Sequence, residues 1–190
     1  SITAGAGAVT LKANQDGLST EGFSQTNPTT ISGTNVAITV NTPGTSAGVG
    51  GGAVVSNITD LGALSITTNN ATNNSTGSIT RTPASTLTAT TGITLTTGAG
   101  TIGTGTGANA ISLAAGQAGV SATTHGADVY LDGAGALTIG AVTTTGNTNA
   151  NGGNVNIAAV GALNTGTITT KGGNATAAGK DGGSVTLNSS

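Results

Sequence analysis

Apolar residues stand in short runs along the chain, and within each run they alternate with small polar residues. Alternation with a period of two, with β-branched residues on one side and Thr or Ser on the other, predicts strands with one buried face. No run has the helical period, and the frequent Gly between runs opposes helix formation. The runs are residues 9–11, 36–40, 64–66, 93–95, 111–113, 129–131, 155–157 and 185–187.

The runs recur at intervals that fit one turn of a solenoid. Their starts lie at positions 9, 36, 64, 93, 111, 129, 155 and 185. In repeats of this length each turn buries little by itself, so stability comes from stacking each turn on the next. The sequence therefore predicts an all-β fold, a right-handed parallel β-helix (β-solenoid) with turns of about 18–30 residues.

The last third of the chain contains the repeat in readable form. The tripeptide at residues 135–137 recurs at 161–163, one predicted turn later. The hexapeptide at 152–157 recurs in similar form at 182–187, and the four extra residues of this longer turn fall in the polar stretch 174–181. Insertions confined to one corner are expected when every turn must stay in register with its neighbours.

The remaining stretches set the expected organisation. We interpret residues 1–190 as a single β-solenoid domain or as a repeat segment of a longer protein. Residues 1–30 lack regular alternation and are expected to form an irregular edge region. Residues 41–60 and 68–90 contain Pro43, Pro83 and a run of Asn, and are expected to form lateral loops.

Composition narrows the function classes. Charged residues make up 5% of the chain, and its four Lys and Arg are far apart, so the clustered cations that nucleic-acid binding needs are missing. There is no Cys, which removes disulfides and thiolate metal sites. No apolar run approaches the roughly 20 residues of a membrane-spanning helix. We assign no catalytic, cofactor-binding or metal-binding residues, and we expect no cofactor and no enzymatic activity.

The repeat motifs resemble a known class. Gly-Gly-x-Val-x-Ile, Gly-Ala-Leu and Gly-x-Ile-Thr-Thr resemble repeats of filamentous haemagglutinin-like large exoproteins and related autotransporter passengers of bacteria, most clearly over residues 128–187 and more weakly over 93–113. The resemblance implies a right-handed parallel β-helix, export to the cell surface, and adhesion or fibre formation. The expected function is a structural or adhesive segment of a secreted surface fibre. Its expected partners are further repeats or copies of itself, and host or matrix glycans.

A polysaccharide-degrading enzyme on the same scaffold is one alternative. Such enzymes use grouped carboxylates. Asp128 and Asp132 are the closest pair, but they flank one strand and are expected to be solvated corner residues. Alignment of this pair with Lys171 and Asp181 would favour the enzyme.

Metal binding has two weak candidates. His125 lies three residues before Asp128, but no second His or Cys completes a ligand set. The turn at residues 181–183 has the Asp-Gly-Gly of a calcium-binding nonapeptide without the repeated Gly-Gly-x-Gly-x-Asp pattern. Both are expected to be structural corner residues.

The other alternative function is an ice- or glycan-binding module, and Thr-x-Thr triplets suggest it. Outward Thr pairs on one solenoid face can order water. The chain has 40 Thr, and triplets occur at residues 86–90, 94–96, 143–145 and 167–169. By sequence spacing they recur with the tripeptide repeat in the last two turns, and not at one fixed position over the whole chain.

Overall fold

A computed structural model describes residues 1–16, 20–41, 50–70, 72, 74–176 and 179–190. These residues form eighteen short strands and one turn of 3-10 helix, Gly107–Asn109. The first nine strands are β1 Ile2–Thr3, β2 Val9–Ala13, β3 Phe23–Ser24, β4 Thr30–Gly33, β5 Val36–Val40, β6 Ala53–Val55, β7 Asn57–Asp60, β8 Ala63–Thr67 and β9 Ile79–Arg81. The others are β10 Leu87–Ala89, β11 Gly92–Thr96, β12 Ile111–Leu113, β13 Gln117–Thr123, β14 Val129–Gly133, β15 Leu137–Thr143, β16 Val155–Ala159, β17 Leu163–Thr169 and β18 Val185–Ser189.

The strands stack into three parallel sheets around one axis. Sheet A has eight strands in the order β1-β4-β7-β10-β12-β14-β16-β18. Sheet B has seven, β2-β5-β8-β11-β13-β15-β17, and sheet C has three, β3-β6-β9. Every strand pairing in the described residues is parallel, and the seven levels of sheet B mark six successive turns. The predicted all-β class and the parallel β-solenoid are confirmed.

Strand pairing fixes the length of each turn. The repeat read from the tripeptide is confirmed by the pairing of Leu137 with Leu163, and the longer repeat of the hexapeptide by that of Val155 with Val185. The shorter spacings differ from what the sequence suggested. Positions 93 and 111 lie in different sheets, so the interval between them is not a turn. Ile111 pairs with Leu131 rather than with position 129, so this turn is slightly longer than the sequence spacing indicated.

The core is a set of aliphatic columns that run through the stack. In sheet A, Ile31, Ile58 and Leu87 follow one another at the same register, and all three side chains are buried. In sheet B, Ile38 and Ile66 form a second buried column. Each such side chain contributes about 1.5–3 kcal/mol on burial. The alternation in sequence follows directly, because every second strand residue points into a column.

The regions expected to be irregular contain strands. The range 1–30 includes β1, β2 and β3, and β2 pairs with β5 along its whole length. The range 41–60 includes β6 and β7, and the range 68–90 includes β9 and β10. Most of these strands are too short for alternation to stand out. Pro83 does lie in a turn, between β9 and β10, whereas Pro43 lies outside the described residues.

Candidate functional site

The two carboxylates weighed for catalysis are not brought together. Asp128 directly precedes β14, and Asp132 is the fourth residue of that strand, about 13 Å away at the rise of an extended chain. The Asp128 carboxylate accepts hydrogen bonds from the Tyr130 hydroxyl (3.0 Å) and the Asn154 backbone N–H (2.7 Å). The hydrogen bond to Asp128, with partial burial and the nearby negative charge, raises the pKa of Tyr130. This corner carboxylate thus ties two neighbouring turns together.

The other candidates also lie in structural corners. His125 Nδ1 lies 3.3 Å from the Thr97 carbonyl oxygen, one turn below it. The Asp181 backbone N–H donates to the Asn151 side chain (3.3 Å), in the corner that leads to β18. In the part of the chain that the structure describes, no three His, Cys, Asp or Glu residues are grouped as metal ligands.

The Gly-Gly of residues 182–183 has a packing explanation. A Cβ at Gly183 would collide with the backbone carbonyl of Gly153, and a Cβ at Gly153 would collide with that of Ala127. Gly77 and Gly100 repeat the arrangement at earlier levels, each against the glycine of the turn before. Glycine stands here because consecutive turns approach too closely for any side chain.

A buried carboxylate was missed by sequence reasoning. Asp60, at the end of β7, is 1% exposed. Its two carboxylate oxygens accept hydrogen bonds from the backbone N–H groups of Val36 (2.6 Å) and Gly62 (2.7 Å). Asp60 therefore satisfies two backbone amides at a corner between sheets A and B, a role with no sequence signal beyond the acidic residue itself.

A column of threonines, buried at every level except the last, closes the corner after sheet B. Each hydroxyl donates to a backbone carbonyl on the far side of the corner loop, at 2.6 Å for Thr68, 2.5 Å for Thr97 and 2.6 Å for Thr144. The acceptors are the carbonyls of Gly77, Gly100 and Gly153, in that order. The column, here called the inner threonines, consists of Thr68, Thr97, Thr124, Thr144 and Thr170.

The residue before each inner threonine is also Thr, and it faces outward from sheet B. The pairings Thr39–Thr67, Thr67–Thr96, Thr96–Thr123, Thr123–Thr143 and Thr143–Thr169 place six threonines at one register over six consecutive levels. This column, here called the threonine face, is Thr39, Thr67, Thr96, Thr123, Thr143 and Thr169. The Thr-x-Thr triplets do not share this register, because residues 86–90 surround β10 of sheet A. What recurs is a single column of Thr, and unequal turn lengths conceal it in the sequence.

The surroundings of the threonine face are small and nearly uncharged. The neighbouring outward column, two residues earlier on each strand, holds Thr10, Ala37, Ser65, Thr94, Ser121, Ala141 and Thr167. A β-bulge between β13 and β15 shifts this second column between Val120 and Ala122, while the threonine face stays in register. Lys12, which pairs with Thr39 from the edge strand β2, is the single charged residue at the registers of these two columns within the described residues.

The two ends of the stack leave core columns uncovered. On the last strand, Val185 and Leu187 are 45% and 44% exposed, although Val155 and Ile157 at the same register one turn earlier are buried. At the other end Ile2 is 43% exposed. A shallow cavity of about 200 Å³ beside Ile2 is lined by small polar residues and by the half-buried ring of Phe23.

Comparison with known proteins adds no relative. No protein-family model matches the chain, and no curated protein and no solved structure matches it. Among the described residues no helix has the length and apolar character needed to cross a membrane. The strand pairing alone therefore shows the fold, a parallel β-solenoid. The resemblance to other proteins rests on the repeat motifs.

Proposed function

We propose that this chain is a structural segment of a secreted bacterial surface fibre or exoprotein, with an adhesive role toward host or matrix surfaces. The observation that carries the proposal is the unbroken parallel pairing of sheet A from β1 to β18. At about 4.8 Å per level, such a stack is a rod whose length grows with the number of turns. The bacterial origin and the cell-surface location are part of the proposal, and the motif resemblance alone supports them.

The interior supports a mechanical role. The aliphatic columns are continuous from turn to turn, and Asp60 and Thr144 are two buried polar groups at corners that are hydrogen-bonded within the solenoid. The carboxylates of Asp128 and Asp60 serve backbone and side-chain hydrogen bonds rather than an open cleft. The proposal accordingly gives the chain no catalytic residues.

The uncovered last turn supports association with a further turn. Val185 and Leu187 would be buried if another parallel strand paired with β18, because β16 is buried in that way by β18 itself. The outer edge of β18 also offers backbone groups to such a strand. In the proposal this edge accepts another turn of the same fold, which lengthens the rod.

The test compares two single substitutions on β18. Leu187→Lys places a charge on the inward side, where the next turn would lie, whereas Thr186→Lys places the same charge on the outward side of the same strand. We expect the unmodified chain and Thr186→Lys to form longer rods as concentration rises, and Leu187→Lys to remain short, as seen by sedimentation velocity and electron microscopy.

Two outcomes would count against the proposal. An unmodified chain that stays a single short particle at every concentration would remove support for lengthening through this edge. Equal assembly of the two lysine variants would show that the inward side of β18 is not the contact. Circular dichroism of both variants distinguishes a misfolded variant from a folded variant that does not associate.

A further inference from the structure

We propose that the threonine face binds ice, by matching its hydroxyl and methyl groups to the water lattice at a crystal surface. This inference concerns the outward side of sheet B and is independent of the role of the rod ends. It goes beyond a structural role because it gives the solenoid wall a ligand of its own: ordered water.

The threonine face and the column beside it form a lattice in two directions, which the β-bulge between β13 and β15 shifts once in the second column. Along the column, successive threonines are separated by the spacing of paired strands, about 4.8 Å. Along each strand, the residue two positions earlier lies about 6.6–6.8 Å away, at the usual rise of a strand. These two repeats lie close to the oxygen–oxygen repeats on a prism surface of ice. Six levels of the column keep the register, so small matches at each hydroxyl add over the whole face.

The hydroxyls of the face are available to water. Within the described residues, none of the six donates to or accepts from a protein group, whereas the inner threonine beside Thr67, Thr96, Thr123, Thr143 or Thr169 donates to a corner carbonyl. All six side chains are half-buried by their neighbours in the sheet. β-Branched side chains have few χ1 choices, so the array is ordered before a ligand arrives and loses little entropy on binding.

The chemistry of the face favours water over other ligands. In the described residues, the threonine face and the column beside it have one charged residue at their registers, Lys12 of the edge strand β2. They therefore offer no cluster for phosphate groups or an acidic partner. Phe23 and Tyr130 are the only aromatic residues of the chain, and both lie outside sheet B, so a sugar ring finds no aromatic surface on which to stack. Neutral hydroxyls and methyl groups at a fixed spacing remain, and a water lattice complements both.

The test uses ice itself as the probe. Thermal hysteresis and the shape of single ice crystals are measured for the unmodified chain, for Thr96→Lys and Thr123→Lys in the middle of the face, and for Thr59→Lys. Thr59 is an exposed outward residue of β7 in sheet A and provides the same substitution on another face. We expect faceted crystals and a hysteresis gap for the unmodified chain and for Thr59→Lys. Each mid-face lysine should remove most of the gap.

The outcomes separate binding from folding. Circular dichroism must show that all three variants keep the β-solenoid spectrum. If Thr96→Lys loses its fold, Thr96→Ala gives the same test by removing both methyl and hydroxyl without adding bulk. A hysteresis gap of zero for the unmodified chain overturns the proposal, and so does an equal loss in Thr59→Lys and the mid-face variants. Rod assembly, followed in the same samples, reports separately on the role of β18.

Discussion

Substitution of Thr144 by Val tests whether the inner threonines hold the corners of the solenoid. The Thr144 hydroxyl donates to the Gly153 carbonyl at 2.6 Å, and the Gly153 N–H donates back to the Thr144 carbonyl at 3.1 Å. Both residues are buried. Valine has nearly the same shape as threonine and a similar strand propensity, so the substitution removes the hydroxyl without opening a cavity.

The expected loss of stability follows from these contacts. The Gly153 carbonyl would lose a buried donor, which costs about 1–3 kcal/mol. The added buried methyl group offsets about 0.8 kcal/mol. We therefore expect the free energy of unfolding to fall by about 0.2–2.2 kcal/mol. The matched control is Thr143→Val, one residue earlier on the threonine face, where no hydroxyl bond is lost and a change within about 0.5 kcal/mol is expected.

The measurement is urea unfolding followed by circular dichroism, together with hydrogen exchange at the Gly153 amide. Exchange at that amide should accelerate in Thr144→Val and stay unchanged in Thr143→Val, because only the first variant loosens the corner. Equal destabilisation by the two substitutions, or a larger effect at Thr143, would refute the corner role of the inner threonines. If Thr144→Val does not fold, Thr170→Val in the less buried last turn replaces it, since Thr170 bonds to Gly183 in the same way (2.7 Å).

Two further predictions concern the corner glycines and the tyrosine. Gly153→Ala should lower the free energy of unfolding by about 1–3 kcal/mol, because the added Cβ collides with the Ala127 carbonyl. The control Gly105→Ala should change the free energy of unfolding by less than about 0.5 kcal/mol. Equal urea midpoints for the two variants would contradict the close approach of the turns at Gly153. Asp128→Asn should lower the pKa of Tyr130 toward its ordinary value, as followed by tyrosinate absorbance, because the carboxylate raises it. In the unmodified chain the stability from this bond is present below pH of about 10 and is lost as pH rises through the raised pKa; an unchanged titration in Asp128→Asn would show that another group raises it.

The strands that sequence could predict are those with enough alternation. All eight apolar runs lie within strands, and the run at 36–40 coincides with β5, because a few alternating residues are enough to mark a buried face. The strands of sheet C were missed, because β3 and β9 are very short and polar flanks surround both. The interval from 93 to 111 misled for another reason, because it joins a strand of sheet B to a strand of sheet A. The same alternation serves every face of a solenoid, so a run does not reveal the sheet to which it belongs.

The register of the threonine face could not be read from spacing alone. Its members stand at positions 39, 67, 96, 123, 143 and 169, and no single period relates them. A local signal was nevertheless present. At several levels an apolar residue is followed by two threonines, as in residues 66–68 and 95–97, and the first threonine faces outward while the second is buried. The pair marks the last strand position before the corner. It therefore identifies the register of each level better than the spacing along the chain does.

The inner threonines bridge corner loops of very different length with one kind of bond. The bonded residues are 3 positions apart at Thr97 and Thr124, 9 at Thr68 and Thr144, and 13 at Thr170. Because the bond fixes the two ends of each loop, the positions of the strands on either side do not depend on the length or sequence of the loop. Each doubling of loop length costs only about 0.6 kcal/mol in closure entropy. This corner is consequently an acceptor site for grafted peptides: epitopes, tags or recognition sequences could be displayed there at successive heights along the rod without altering its core.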